Sequence, residues 1–151
     1  MRYDAINMAS SNSILVYNGK VLLILRDDKP NIPESNTWQL PGGGTQIGED
    51  HSQTIKRELQ EEIGVVPQQL RYLGSAPGET KVFFAFLTDE EVKNIKLGNE
   101  GQRLDFFNLE TVLTVNLTKK LRFYLEKFKE GISELISNGL IDDVSKIGLS
   151  K

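Results

Sequence analysis

The chain has 151 residues with a net charge of −3, 38% hydrophobic and 26% charged residues, an ordinary globular mixture that argues for one domain with a sizeable core. It has no cysteine, which excludes disulfides, zinc–thiolate sites and cysteine nucleophiles. The acidic balance excludes a general electrostatic footprint for nucleic acid. No apolar run reaches the roughly 18 residues of a membrane span, and Met1–Ser10 lacks an apolar signal core, so a cytoplasmic protein is expected.

In chain order, Ser13–Arg26 reads as a hairpin around Asn18-Gly19, a dipeptide suited to a type I′ turn. Val21–Leu25 is almost wholly apolar, as in a buried central strand. Arg26–Thr37, with Asp27-Asp28, Pro30, Pro33 and Asn36, is a loop by its turn chemistry. Trp38-Gln39-Leu40 returns to the core and runs into Pro41-Gly42-Gly43-Gly44, where the backbone can bend and approach a ligand closely.

Asp50–Ile63 reads as a helix, with Asp50 and Gln53 as a capping-box pair and Gly64 as a left-handed terminator. Leu70–Leu73, Lys81–Leu87 and Arg103–Asn108 read as strands. Leu117–Ser137 reads as one long helix, with Leu121, Leu125, Phe128, Ile132 and Leu135 on a single stripe and its lysines solvated. Residues 1–12 and about 140–151 are expected to be loosely held. Strands alternating with helices give an α/β class, with a mixed sheet between helical layers.

The chemistry points to the first helix. Ile55, Leu59 and Ile63 share its inward face, while Arg57, Glu58, Glu61 and Glu62 lie on the other side. Glutamates three and four apart repel by roughly 0.2–0.5 kcal/mol per pair. They also sit near the helix C-terminus, where the dipole disfavours anions. A divalent cation with oxygen ligands would turn that repulsion into attraction. The competing explanation is a solvated acidic face softened by Arg57 pairing with Glu61.

The full pattern is Gly43, five residues, Glu49, seven residues, Arg57-Glu58-Leu59, one residue, Glu61-Glu62, one residue, Gly64-Val65. It resembles the Nudix (MutT-like) box at every fixed position, and Trp38–Gly43 looks like the usual lead-in. The resemblance implies an α/β/α sandwich and a hydrolase of nucleoside diphosphate derivatives. It implies Glu58, Glu61 and Glu62 as ligands of magnesium, or alternatively manganese, with the Gly43 carbonyl beside them. Arg57 would orient the glutamates, and Glu49 would hold the box together through Arg57. The general base would be Glu58 or a glutamate on a later loop, of which Glu100 is best placed and Glu90 and Glu91 are rivals. Substrate contacts would fall on Gly42, Gly43, Arg26 and one of Phe83 and Phe84, with Phe83 preferred. His51 reads as a residue near the helix start and Trp38 as a core anchor. Thr54 stands where the family usually has alanine.

Markers beyond the box favour a nucleoside triphosphate pyrophosphohydrolase, because the proline and tyrosine of other subfamilies are not at their usual places. The alternatives are a nucleotide-sugar or ADP-ribose-type pyrophosphatase, or a non-catalytic nucleotide-binding module. The expected partner is a small nucleotide, with neither stable nucleic-acid nor membrane binding. The family often forms homodimers, and the sequence carries no interface signal.

Overall fold

A computed structural model describes residues 9–151. Its centre is a mixed sheet. Strands β1 (Ser10–Tyr17), β2 (Lys20–Leu25), β3 (Trp38–Gln39), β5 (Arg71–Ala76) and β6 (Thr80–Phe86) lie in the order β3-β2-β1-β6-β5. Strand β4 (Gly42–Gly44) pairs with β1, and β7 (Arg103–Phe107) pairs with β2. Among the described strands, β1 and β6 run parallel and the other pairs are antiparallel. The Asn18-Gly19 hairpin forms as expected, with both residues at positive φ.

Helix α1 (His51–Ile63) covers one face of the sheet. Its start is fixed by a complete capping box between Asp50 and Gln53, and its end by Gly64 at φ 72°. Ile55, Leu59 and Ile63 are fully buried against Leu15, Leu22, Phe83 and Ala85. The short helix α2 (Asp89–Asn94) adds Val92 to the same cluster. The opposite face is covered by α3 (Leu109–Val112), α4 (Lys119–Lys127), α5 (Lys129–Asn138) and a 3-10 turn at Val144–Ile147. Strand residues alternate between the two layers, so the sheet is sandwiched as expected.

Two expectations are corrected. The long C-terminal helix is two helices, broken at Phe128, whose φ of −115° and ψ of 31° leave the helical region. Beyond the break α5 packs closely on the 3-10 turn: a Cβ on Gly131 would stand 2.2 Å from the Lys146 carbonyl. The C-terminal residues are not loosely held either. Ile147 and Leu149 are buried, and Ser75 and Ser150 exchange backbone hydrogen bonds of 2.6 and 2.9 Å. Apolar side chains in the tail supply burial that a polar tail would lack. At the other end, residues 10–12 belong to β1, while 1–8 lie outside the described residues.

Candidate active site

Arg57 organises the site. Its Nε donates to Glu49 Oε2 at 2.6 Å and its Nη2 to Glu49 Oε1 at 3.2 Å. Nη1 reaches Glu58 Oε2 at 2.9 Å and Glu61 Oε1 at 3.1 Å, and Nη2 also reaches the Gly44 carbonyl at 3.0 Å. The planar fork of a guanidinium permits this division of donors, which an ammonium would not match. The eight-residue spacing of Glu49 and Arg57 therefore brings them together as anticipated. The guanidinium holds the Glu49 carboxyl well down, to about 2, and the carboxylates raise Arg57 above its ordinary value.

Thr54 explains its own departure from alanine. It is fully buried, and its hydroxyl donates to Glu49 Oε1 at 3.0 Å and meets Thr45 Oγ1 at 3.2 Å. His51 is tied by Nδ1 to the buried Ser11 hydroxyl at 2.9 Å, a structural contact at the helix start.

The remaining carboxylates are under-compensated. Burial raises the Glu58 carboxyl, against the pull of Arg57, with Glu61 and Glu100 adding to the rise. Glu62 is pushed up to about 8, first by burial and then by Glu58, Glu100 and Glu61. One neutral donor opposes this, the Gly42 N–H, at 2.8 Å from Glu62 Oε1. Glu61 is more open, with 58% of its side chain exposed. One arginine thus serves three neighbouring acids, Glu49, Glu58 and Glu61, while Glu62 rests on the Gly42 N–H, which leaves surplus negative charge for a hard cation. Among the described residues, no three acidic or histidine side chains already converge as a closed ion cage. Glu58 and Glu61 each turn an oxygen to Arg57, and Glu62 turns one to Gly42.

The glycines form a thin wall beside these acids. A Cβ on Gly43 would meet the Glu58 carboxyl carbon at 2.5 Å. On Gly42, at φ 152°, it would meet the Ser11 carbonyl at 2.2 Å and Asn12 Oδ1 at 2.6 Å. Asn12 lines a cavity of about 510 Å³ on the sheet face opposite α1. Ile14, Leu23, Val82, Leu121 and Tyr124 supply apolar walls, and Arg26 and Gln39 supply polar groups. None of Glu49, Glu58, Glu61, Glu62 and Glu100 lines it; Gly42 and Asn12 stand between the two regions.

The charge of Glu100 adds to the rise of both Glu58 and Glu62. Its rival Glu91 is spent on structure: it closes the α2 capping box with Thr88 and accepts from the Gln68 N–H at 2.7 Å. Glu90 is exposed on the first turn of α2. Phe83 is corrected as a substrate contact. It is buried beneath α1 in the apolar cluster, because β6 alternation sends it to the tightly packed face. Phe84 is buried on the other face, in the core. Arg26 borders the cavity, yet its Nε and Nη2 bond the Pro33 carbonyl at 3.1 and 2.7 Å, and Nη1 bonds Gln39 Oε1 at 3.0 Å. Those bonds hold a loop and do not present Arg26 to the carboxylates. Trp38 is buried in the core, as anticipated. Asn12 and Gln39 were missed from the sequence, since nothing local marks a strand residue as facing a cavity.

The model of the NUDIX domain matches residues 9–129. The chain belongs to the Nudix family. A relative is the ADP-ribose pyrophosphatase of Methanocaldococcus jannaschii, 30% identical over 77% of this chain and 67% of that protein. Among solved structures, the MutT NUDIX hydrolase of Burkholderia pseudomallei is similar at a TM-score of 0.61 and 25% identity, over 79% of this chain and 95% of that one. The NUDIX domain of Shewanella oneidensis NrtR, solved in complex with ADP ribose, has a TM-score of 0.64 at 22% identity, covering 87% and 94%. The protein is a Nudix pyrophosphohydrolase that acts on nucleotide derivatives. Nudix hydrolases generally use divalent metal ions. Among the described residues, no helix is long and apolar enough to cross a membrane.

Proposed function

We propose that this Nudix hydrolase cleaves nucleoside triphosphates to a monophosphate and pyrophosphate, using magnesium or manganese held by Glu58, Glu61 and Glu62 with the Gly43 carbonyl. The surplus of carboxylate charge on one helix face, balanced by a single arginine, is the observation that carries this reading. A divalent ion supplies charge neutralisation at the anhydride and a lowered pKa for the attacking water. The chain's own part is orientation and proton transfer. Arg57 fixes the carboxylate directions, and Glu58 or Glu100 takes the proton of the water that attacks phosphorus. The nucleoside occupies the cavity, and the phosphates pass over Gly42 and Gly43, where no side chain intervenes. A volume of about 510 Å³ with apolar walls and few polar groups suits such a ligand.

An ADP-ribose substrate is the second reading, favoured by the Methanocaldococcus relative. Both share the diphosphate and differ in the group beyond it. The deciding experiment is a product-release screen with dGTP, the other nucleoside triphosphates, ADP-ribose and nucleotide sugars, with and without magnesium. Magnesium-dependent release of pyrophosphate from triphosphates is the expected result. Glu61→Gln together with Glu62→Gln should lower turnover by about 10²–10⁴-fold in a folded protein. Retained turnover in that variant would falsify the metal assignment.

A further inference from the structure

The segment Ile95–Gln102 between α2 and β7 carries Glu100, and it is pinned at both ends. At its start, the Lys96 N–H donates to the Ile63 carbonyl at 2.9 Å, and the Gly98 N–H to the Glu62 carbonyl at 3.0 Å. The loop thereby caps the last turn of α1, where carbonyls lack helical partners. A Cβ on Gly98 would stand 1.9 Å from the Glu61 carbonyl, so this approach requires glycine.

At its other end the loop is held by the segment that follows β2. Asp27 Oδ1 accepts from the Gly101 N–H at 3.0 Å. The Gln102 N–H bonds the Leu25 carbonyl at 2.8 Å, and Gln102 Nε2 bonds the Arg26 carbonyl at 2.7 Å and Asn36 Oδ1 at 2.9 Å. Asp27 is anchored in turn, since its carbonyl accepts from the Asn36 N–H at 3.1 Å. Gly101, at φ 91°, makes the turn that aims its N–H at Asp27.

We propose that Asp27 is a positioning residue: through the Gly101 amide it holds Glu100 against the carboxylates of α1. This rests on the reading of Glu58, Glu62 and Glu100 as parts of the hydrolytic site. A carboxylate acceptor lends charge assistance to a bond from a backbone N–H, here at an ordinary length of 3.0 Å. Glu100 is exposed, so its place beside the last turn of α1 depends on the bonds that hold the loop on either side of it, at Gly98 and Gly101. The Gln102 contacts share the load, but Asp27 binds the residue next to Glu100. The same post-β2 segment contributes Arg26, Pro33 and Glu34 to the cavity wall, so one loop touches both the cavity and the acid.

The test compares Asp27→Ala, Asp27→Asn and Glu100→Gln, each beside the double variant Asp27→Ala/Glu100→Gln. In the metal-free protein, amide hydrogen exchange at Gly101 should quicken by at least about tenfold in Asp27→Ala and stay near wild type in Asp27→Asn, which keeps Oδ1 as acceptor. With magnesium and either dGTP or ADP-ribose, Asp27→Ala should lower kcat by about ten- to a hundredfold and leave KM within about threefold. Asp27→Asn should restore kcat, and Asp27→Ala should add nothing to Glu100→Gln. Additive losses, a change in KM alone, or wild-type kcat in Asp27→Ala would overturn the proposal. If wild type cleaves neither probe, the function reading fails, and unchanged Gly101 exchange in Asp27→Ala then overturns the positioning role by itself. Should Asp27→Ala not fold, Asp27→Ser, whose hydroxyl is one bond too short for the Gly101 N–H, carries the same expectations.

Discussion

The two faces of the central sheet are built to opposite specifications. Beneath α1, Leu15, Leu22, Ile55, Leu59 and Ile63 are all at 0–1% exposure and the layer is closed. On the other face, Ile14, Leu23, Val82 and Leu121 border a cavity of about 510 Å³. The closed face fixes a helix whose outer side carries the acids. The hollow face leaves room for a ligand. A site that must place several like charges needs a rigid support, because their repulsion would otherwise spread them; a binding pocket needs unfilled volume and gives up packing to have it.

Truncation is the bluntest way to break this comparison. Leu59→Ala should cost about 2–5 kcal/mol in denaturant unfolding, since the closed layer cannot relax into the void. Leu121→Ala, half-buried beside existing space, should cost less than half as much. Equal losses would mean that the two faces are packed alike.

Next comes the glycine wall between the faces. Gly43→Ala drives a methyl into the Glu58 carboxylate, so kcat should fall by about ten- to a hundredfold while the melting temperature changes little. Steady-state kinetics with calorimetry on the same sample separates the two effects. Unaltered kcat would show that Glu58 has slack that its contacts conceal.

Filling the hollow face should act on binding alone. Leu121→Trp is expected to raise KM at least about tenfold, the scale on which an apolar pocket senses small changes in fit, with kcat preserved. A fall in kcat without a change in KM would place the substrate elsewhere.

The smallest effect concerns the Glu49–Arg57 pair. The folded-state value of Glu49 is depressed from its usual 4.5 to about 2. Its contribution to stability is therefore complete above about pH 4.5 and is lost as pH falls towards 2. Wild type should exceed Glu49→Gln in stability at pH 6, and the gap should narrow steadily across that window. A gap independent of pH would assign the difference to packing rather than to ionisation.

Much of the closed face could be read directly from sequence. The period of Ile55, Leu59 and Ile63, the Asp50–Gln53 box and Gly64 each act within one helix, so local rules suffice for them. The glutamates were legible for the same reason. The spacing that sets their repulsion is a property of the helix alone, and it marks them as a local conflict awaiting a partner. The meeting of Glu49 with Arg57 was anticipated from their eight-residue spacing, but Glu49 stands before the Asp50 cap and is held there by the turn that bonds it to Gln46.

The hollow face was less legible. Phe83 and Phe84 sit side by side in sequence, but which faces α1 depends on strand register with β1 and β5, a choice fixed by the whole sheet. The break at Phe128 and the burial of Ile147 and Leu149 depend on α5 and the tail meeting each other and the sheet. The Thr88–Glu91 capping box could have been read in advance, and it removes Glu91 from the candidates for base.

By itself, the sequence determined the α/β class, the first helix with its caps and inward stripe, and the four charged residues on its outer side. Those features rest on interactions within a few residues of each other. Tertiary structure decided which face of the sheet stays hollow, where the C-terminal segment docks, and how Asp27 and Glu62 grip the loop that carries Glu100. Those contacts join residues 36 to 74 positions apart, and the chain can bring them together only once the sheet has fixed their distance.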